Sequence, residues 1–102
     1  MSVSGGKDLW ATLRRYEGIT DTDEAGKRVR EGFVPLISGH RGFVAYYWVD
    51  AGDGVMFSTS IFEDQADEED SNRLAADFVK EHLTDLFPNP PMITAGHVVA
   101  QH

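Results

Sequence analysis

Residues 43–62 read FVAYYWVDAGDGVMFSTSIF, two apolar arms around a turn of glycine and aspartate. Phe43 to Asp50 is rich in β-branched and aromatic residues with no glycine or proline, the composition of a strand. Asp50-Ala-Gly-Asp-Gly54 supplies the tight or left-handed conformations of a turn. Val55 to Phe62 alternates again and returns. Arms joined by so short a loop pair antiparallel, so this stretch predicts a β-hairpin.

Upstream of the hairpin, Asp8 to Glu17 alternates, with Leu9, Ala11 and Leu13 on one side and Trp10, Thr12, Arg14 and Tyr16 on the other. A period of two predicts a strand that stops at Gly18. Asp21 then makes an N-cap, with Glu24 three residues on as in a capping box. Ala25, Val29, Phe33, Leu36 and Ile37 recur at helical spacing. Pro35 lacks an amide hydrogen and crowds the carbonyl of Glu31, which predicts a kink or an end near Val34. The loop Ser38–Gly42 follows. Lys27, Arg28 and Arg30 form a short basic cluster expected to be solvated.

Downstream, Glu63–Asp70 holds six acids in eight residues and leads into a stripe of Leu74, Ala75, Phe78, Val79, His82, Leu83 and Leu86. Acids suit the start of a helix through its dipole, and this run is expected to be a solvated first turn. It lacks the ligand spacing and central glycine of a calcium loop. Phe87-Pro-Asn-Pro-Pro91 ends the helix, and Met92 to Ala100 alternates as a last strand.

The order β-α-β-β-α-β predicts an α+β, ferredoxin-like domain: a four-stranded antiparallel sheet with two helices on one face. Right-handed crossovers place the first and third strands centrally. The 102 residues suit a single domain, with an ordered core over about 8–100. Two helices cover one side of such a sheet, yet both strand phases are apolar. One carries Leu9, Ala11, Leu13, Phe43, Ala45, Tyr47, Val49, Val55, Phe57, Thr59 and Ile61. The other carries Trp10, Thr12, Arg14, Tyr16, Val44, Tyr46, Trp48, Met56, Ser58, Ser60 and Phe62. An uncovered apolar face of that size predicts a homodimer through the sheet.

The formal charge of −8 opposes nucleic acid and acidic membrane surfaces, which need clustered positive charge. With no cysteine there is no disulfide framework, thiolate metal site or cysteine nucleophile. The opening MSVSGGKDLW lacks the pattern of a secretory signal, and no long apolar run occurs, so a cytoplasmic protein is expected. No histidine pair, phosphate loop or nucleophile elbow is found. The catalytic residues are therefore not assigned, and no metal is expected.

Arg14, Tyr16, Tyr46, Trp48, Ser60 and Phe62 are the candidate ligand-binding residues, being an aromatic set with a few placed polar groups. A ring could stack on Trp48 or Phe62 while Arg14 holds an oxyanion. The alternative is that they are core or dimer contacts, with Arg14 extending outward. His97, mid-strand, is either a general base or a packed histidine. His82 interrupts the long helix's stripe and sits either in the cleft or at its boundary. Ser71 and Asn72 open the exposed part of that helix.

The strand with Arg14-Arg-Tyr-Glu17, the helix ending Pro35-Leu-Ile-Ser38, Gly42-Phe43 before Tyr46-Tyr47, and Ser58-Thr-Ser-Ile-Phe-Glu-Asp64 together resemble the dimeric α/β-barrel superfamily. Within it the chain is similar to antibiotic-biosynthesis-monooxygenase-like proteins. The resemblance implies a cleft between sheet and helices for a small aromatic or hydrophobic molecule, and activity as a monooxygenase without cofactor. The alternative it leaves is a non-catalytic, ligand-binding or stress-related dimer. Haem-degrading relatives carry an Asn on the first strand, a Trp ending the third and a His on the second helix. Here Leu9–Glu17 has no Asn, Phe62 stands at the Trp position, and His82 lies too far along its helix, so haem chemistry is not expected.

Overall fold

The structure, a computed structural model, describes residues 8–102; the reading of the first seven residues falls outside them. The strands are β1 (Trp10–Tyr16), β2 (Phe43–Gly52), β3 (Val55–Phe62) and β4 (Met92–His97). The helices are α1 (Thr22–Arg28), α2 (Val34–Ser38) and α3 (Gln65–His82), with a π-turn at Val29–Phe33 between the first two. The sheet order is β2-β3-β1-β4 with every pair antiparallel, the ferredoxin-like α+β arrangement with β1 and β3 central.

Asp21 caps α1 by accepting from the Glu24 amide at 3.0 Å. The reciprocal half of the capping box is not made, because the Glu24 carboxylate takes Arg28 Nε at 2.8 Å instead. Pro35 does not end the helix. The π-turn absorbs it: the Val34 amide reaches back five residues to the Val29 carbonyl, and Pro35 falls in the first turn of α2, where its missing donor costs nothing. Arg28 is not simply solvated. It donates to Asp85 at 2.8 Å and to the His82 carbonyl at 2.8 Å, tying α1 to the segment after α3. This pairing raises the guanidinium pKa and lowers that of the Asp85 carboxyl.

A bulge between Phe43 and Ala45 corrects the phase assigned to β2. Phe43, not Val44, sits beside Phe62 on the helix side, while Val44 is exposed. Gly42, at φ +79, precedes the bulge; a Cβ there would meet the Asp67 carboxylate, so only glycine fits. The last strand is shorter than its alternation predicts and stops at His97, because β1 begins at Trp10 and offers a single further contact, Val98 N–H to Leu9 O at 2.8 Å. His97 therefore lies at a strand end, stacked on Trp10 with centroids 5.7 Å apart and 3.4 Å from the Asp8 carboxylate.

All helical segments pack on one face. Tyr16, Ile19, Val29, Phe33, Ile37, Met56, Phe62, Phe78, Leu83, Leu86 and Phe87 form the buried core. Leu83 to Phe87 lies beyond the end of α3, so the stripe continues into a turn. The acidic run is not wholly solvated either: Asp67 and Glu68 are buried, and Asp64 caps α3 through the Asp67 amide at 2.9 Å. The opposite sheet face stays uncovered and apolar, with Leu13 37%, Tyr47 61% and Met92 65% exposed. Among the described residues, no helix is long and apolar enough to cross a membrane.

Candidate functional site

The helix-facing side of the sheet carries two polar rungs. Registry lines up Trp48, Ser58 and Arg14 on one, and Tyr46, Ser60 and Thr12 on the next. Above them Val29, Phe33 and Ile37 come from the first helical stretch, and Ser71, Asn72, Ala75, Phe78 and Val79 from α3. Together with Tyr16 and Leu83, most of these side chains enclose a cavity whose free interior is about 20 Å³, room for about one water molecule.

Five of the six candidates, Arg14, Tyr16, Tyr46, Trp48 and Ser60, line this cavity. Phe62 does not. It is fully buried toward the other end of β3, with its ring edge-on to His40 and Phe43 at 5.6 and 6.0 Å. His82 is outside as well, exposed and packed on Phe78 at 4.8 Å. Ser71 and Asn72 are not on an exposed part of the helix: Ser71 is buried, Asn72 half-buried, and both reach the cavity.

Arg14 dominates the electrostatics. It is 6% exposed, its Nε donates to Tyr16 Oη at 3.1 Å, and no carboxylate lies within ion-pair distance of it among the described residues. The Trp48 indole ring stacks on Phe87, 4° from parallel, and its Nε1 is the one fully buried polar side-chain atom among the described residues without an acceptor. A buried cation with no counter-charge among the described residues and an unsatisfied buried donor are both costly, and they line the same cavity on one rung, with Ser58 between them.

Burial pushes the Tyr46 phenol above its ordinary range, and a hydrogen bond with Ser58 opposes this only in part. A raised tyrosine pKa stabilises the fold fully below the unfolded value near 10, and that contribution is lost as pH climbs through the folded value. Denaturant midpoints of wild type and Tyr46→Phe at pH 8 and pH 11 check this. Wild type should be the more stable at pH 8 by about 1 kcal/mol or less, with the gap closing at pH 11; a constant gap would refute it.

Thr12, Ser58, Asn72 and Glu68 are polar groups at or behind the cavity that the candidate set omits. Thr12 and Ser58 share the strand phase of Arg14, a signal that was readable. Glu68 lay hidden inside the acidic run, where nothing in the spacing separates it from its solvated neighbours. Among the described residues, no group of three or more His, Asp or Glu is placed to hold a metal ion.

The sequence matches no family model and no curated protein. Solved structures do match. A protein of unknown function from Nitrosomonas europaea superposes with a TM-score of 0.79 at 20% identity, covering 96% of each chain. A Streptomyces coelicolor monooxygenase in complex with nanaomycin D gives 0.68 at 14% identity, over 94% of this chain and 90% of that one. SnoaB, a cofactor-independent oxygenase from Streptomyces nogalater, gives 0.62 at 15%, over 93% and 95%. Others carry the antibiotic biosynthesis monooxygenase name. At these identities the likeness is one of fold, and the fold of this chain is that of the antibiotic-biosynthesis-monooxygenase-like proteins.

Proposed function

We propose that the chain works in the cytoplasm as a homodimer, joined through its uncovered sheet face, and that its cavity admits a flat aromatic or hydrophobic molecule bearing an oxygen acceptor. The activity this supports is a monooxygenase reaction without metal or organic cofactor. The observation that carries the reading is Arg14, buried with no counter-charge among the described residues and on one rung with the unpartnered Trp48 indole, in a cavity walled by apolar and aromatic side chains with a few hydroxyls and one amide. A guanidinium held in low dielectric lowers the pKa of a bound phenol and stabilises the resulting anion, the electron-rich form that dioxygen attacks. Fold neighbours that include a ligand-bound monooxygenase and a cofactor-independent oxygenase add support.

The cavity is nearly filled, so a ligand enters only if lining side chains from the π-turn, α2 or α3 give way; π-turns recur at functional sites. The same fullness favours a second reading, a non-catalytic ligand-binding or stress-related dimer. A thermal-shift series with phenols, quinols and haem tests the cavity. A ligand at 100 times its Kd should add about 2.7 kcal/mol of apparent stability. Silence across all three classes sinks the cavity reading. Oxygen consumption with an anthrone-like ligand that binds then separates enzyme from binder.

A further inference from the structure

On the solvent side of the helices an open groove of about 870 Å³ lies between the first helical stretch and α3, with Gly32, Leu36, Leu74 and Phe78 among its lining residues. Among the described residues, Phe78 alone lines both this groove and the cavity. Its ring is 8% exposed and rests against Phe33 at 5.3 Å and against His82, one turn on, at 4.8 Å. Across from it stands Gly32. A Cβ on Gly32 would lie 2.9 Å from Phe78 Cε1 and 3.0 Å from Cζ, so the ring lies against bare backbone. Gly32 is not among the glycines at positive φ, and glycine inside a helical stretch is destabilising relative to alanine. What it provides at this position is room for the Phe78 ring.

A second groove, about 400 Å³ between α1 and the edge strand β2, borders the cavity through Val29, Tyr46 and Trp48. That wall is made of three side chains. Trp48 is held in it by stacking on Phe87 and by its contact with Tyr16, and Tyr46 sits edge-on to Phe33. The wall toward the larger groove is a single ring on a helix, where an aromatic side chain has two χ1 positions open to it. Swung into that groove, the ring meets Leu36, which is 46% exposed, and half-buried Leu74, and is not left in water. We propose that Phe78 is the door of the cavity, swinging into the groove between the π-turn and α3, and that ligands enter by this groove. The proposal rests on the cavity reading above and adds the route.

The chain has no cysteine, so one introduced thiol can be labelled cleanly. Leu36 lines the larger groove, and Val34, two residues earlier on α2, lines the smaller one. Leu36→Cys and Val34→Cys, each with and without an N-phenylmaleimide label, are mixed in stopped flow with 1-naphthol and with 4-nitrophenol, and their association rates are compared with wild type. The label at position 36 should slow association about tenfold or more, and the label at 34 should leave it within about twofold of wild type. Phe78→Ala, with the door removed, should associate about tenfold or more faster than wild type. A Phe78 that only packs would leave the on-rate unchanged and alter the off-rate alone. If Phe78→Ala does not fold, the two labels decide. Equal effects of the two labels, slowing at 34 alone, or an unchanged on-rate in folded Phe78→Ala overturns the route and leaves the cavity standing. If neither probe binds wild type, the cavity reading falls and the route with it.

Discussion

Replacing Arg14 by methionine is expected to make the protein more stable and unable to hold its ligand. The guanidinium is 6% exposed with a single hydrogen bond, to Tyr16 Oη, and no carboxylate beside it among the described residues. Methionine fills a similar volume and removes the buried charge. Exchanging buried ionic groups for well-packed apolar ones is often stabilising, and after loss of the Tyr16 bond a net gain of about 1–2 kcal/mol is expected. Charge-assisted hydrogen bonds to an anionic oxygen are the strong ones, so affinity for any phenolic ligand found by thermal shift should fall about 100-fold. Opposite signs in the two measurements mark a residue retained for binding at a cost in stability. A variant that loses stability in urea and binds as wild type would place Arg14 in the core as a structural residue only.

The second large effect is expected on the opposite face of the sheet. Leu13 sits there on central β1, flanked by Thr59 on β3 and Thr94 on β4, and Tyr47 lies beyond Thr59. It is 37% exposed in the single chain, and Tyr47 is 61% exposed. In a face-to-face dimer this row lies at the centre of the interface, where truncations cost most. Leu13→Glu puts two like charges, one from each copy, into that dry centre. Sedimentation of wild type at micromolar concentration should give twice 11.3 kDa, and the variant should give 11.3 kDa. Its urea midpoint should fall too, since dimerisation stabilises the folded chain by mass action. A wild type that already sediments at 11.3 kDa refutes the dimer.

Much of the architecture was legible in the chain. The hairpin at 43–62 and the Asp21 cap are local signals, each set by backbone chemistry within a few residues, whereas α3 ends at His82, ahead of the prolines read as its stop. From them the β-α-β-β-α-β order and the antiparallel sheet follow. The candidate site was half legible for the same reason. Once Arg14 is in one phase of β1 and Trp48 in one phase of β2, pairing through β3 brings them to the same rung.

Three things were not legible, and each depended on contacts between distant segments. The bulge at Val44 put Phe43 on the helix side, because Phe62 fills that position only when the register slips by one residue. The irregularity expected near Val34 is there, but its form as a π-turn over Val29–Phe33 was not legible, since it depends on Phe33 and Ile37 both reaching the core. Glu68 looked like any other member of an acidic run until α3 docked on β1 and buried it over Thr12.

Period and punctuation were enough to assign the strands, the helices, their order and the double apolarity of the sheet, because those depend on each residue's near neighbours. Which face the helices cover, which acid is buried, and whether Arg14 finds a counter-charge were decided only by packing. Burial and charge pairing are properties of the space between segments, and no stretch of chain carries them alone.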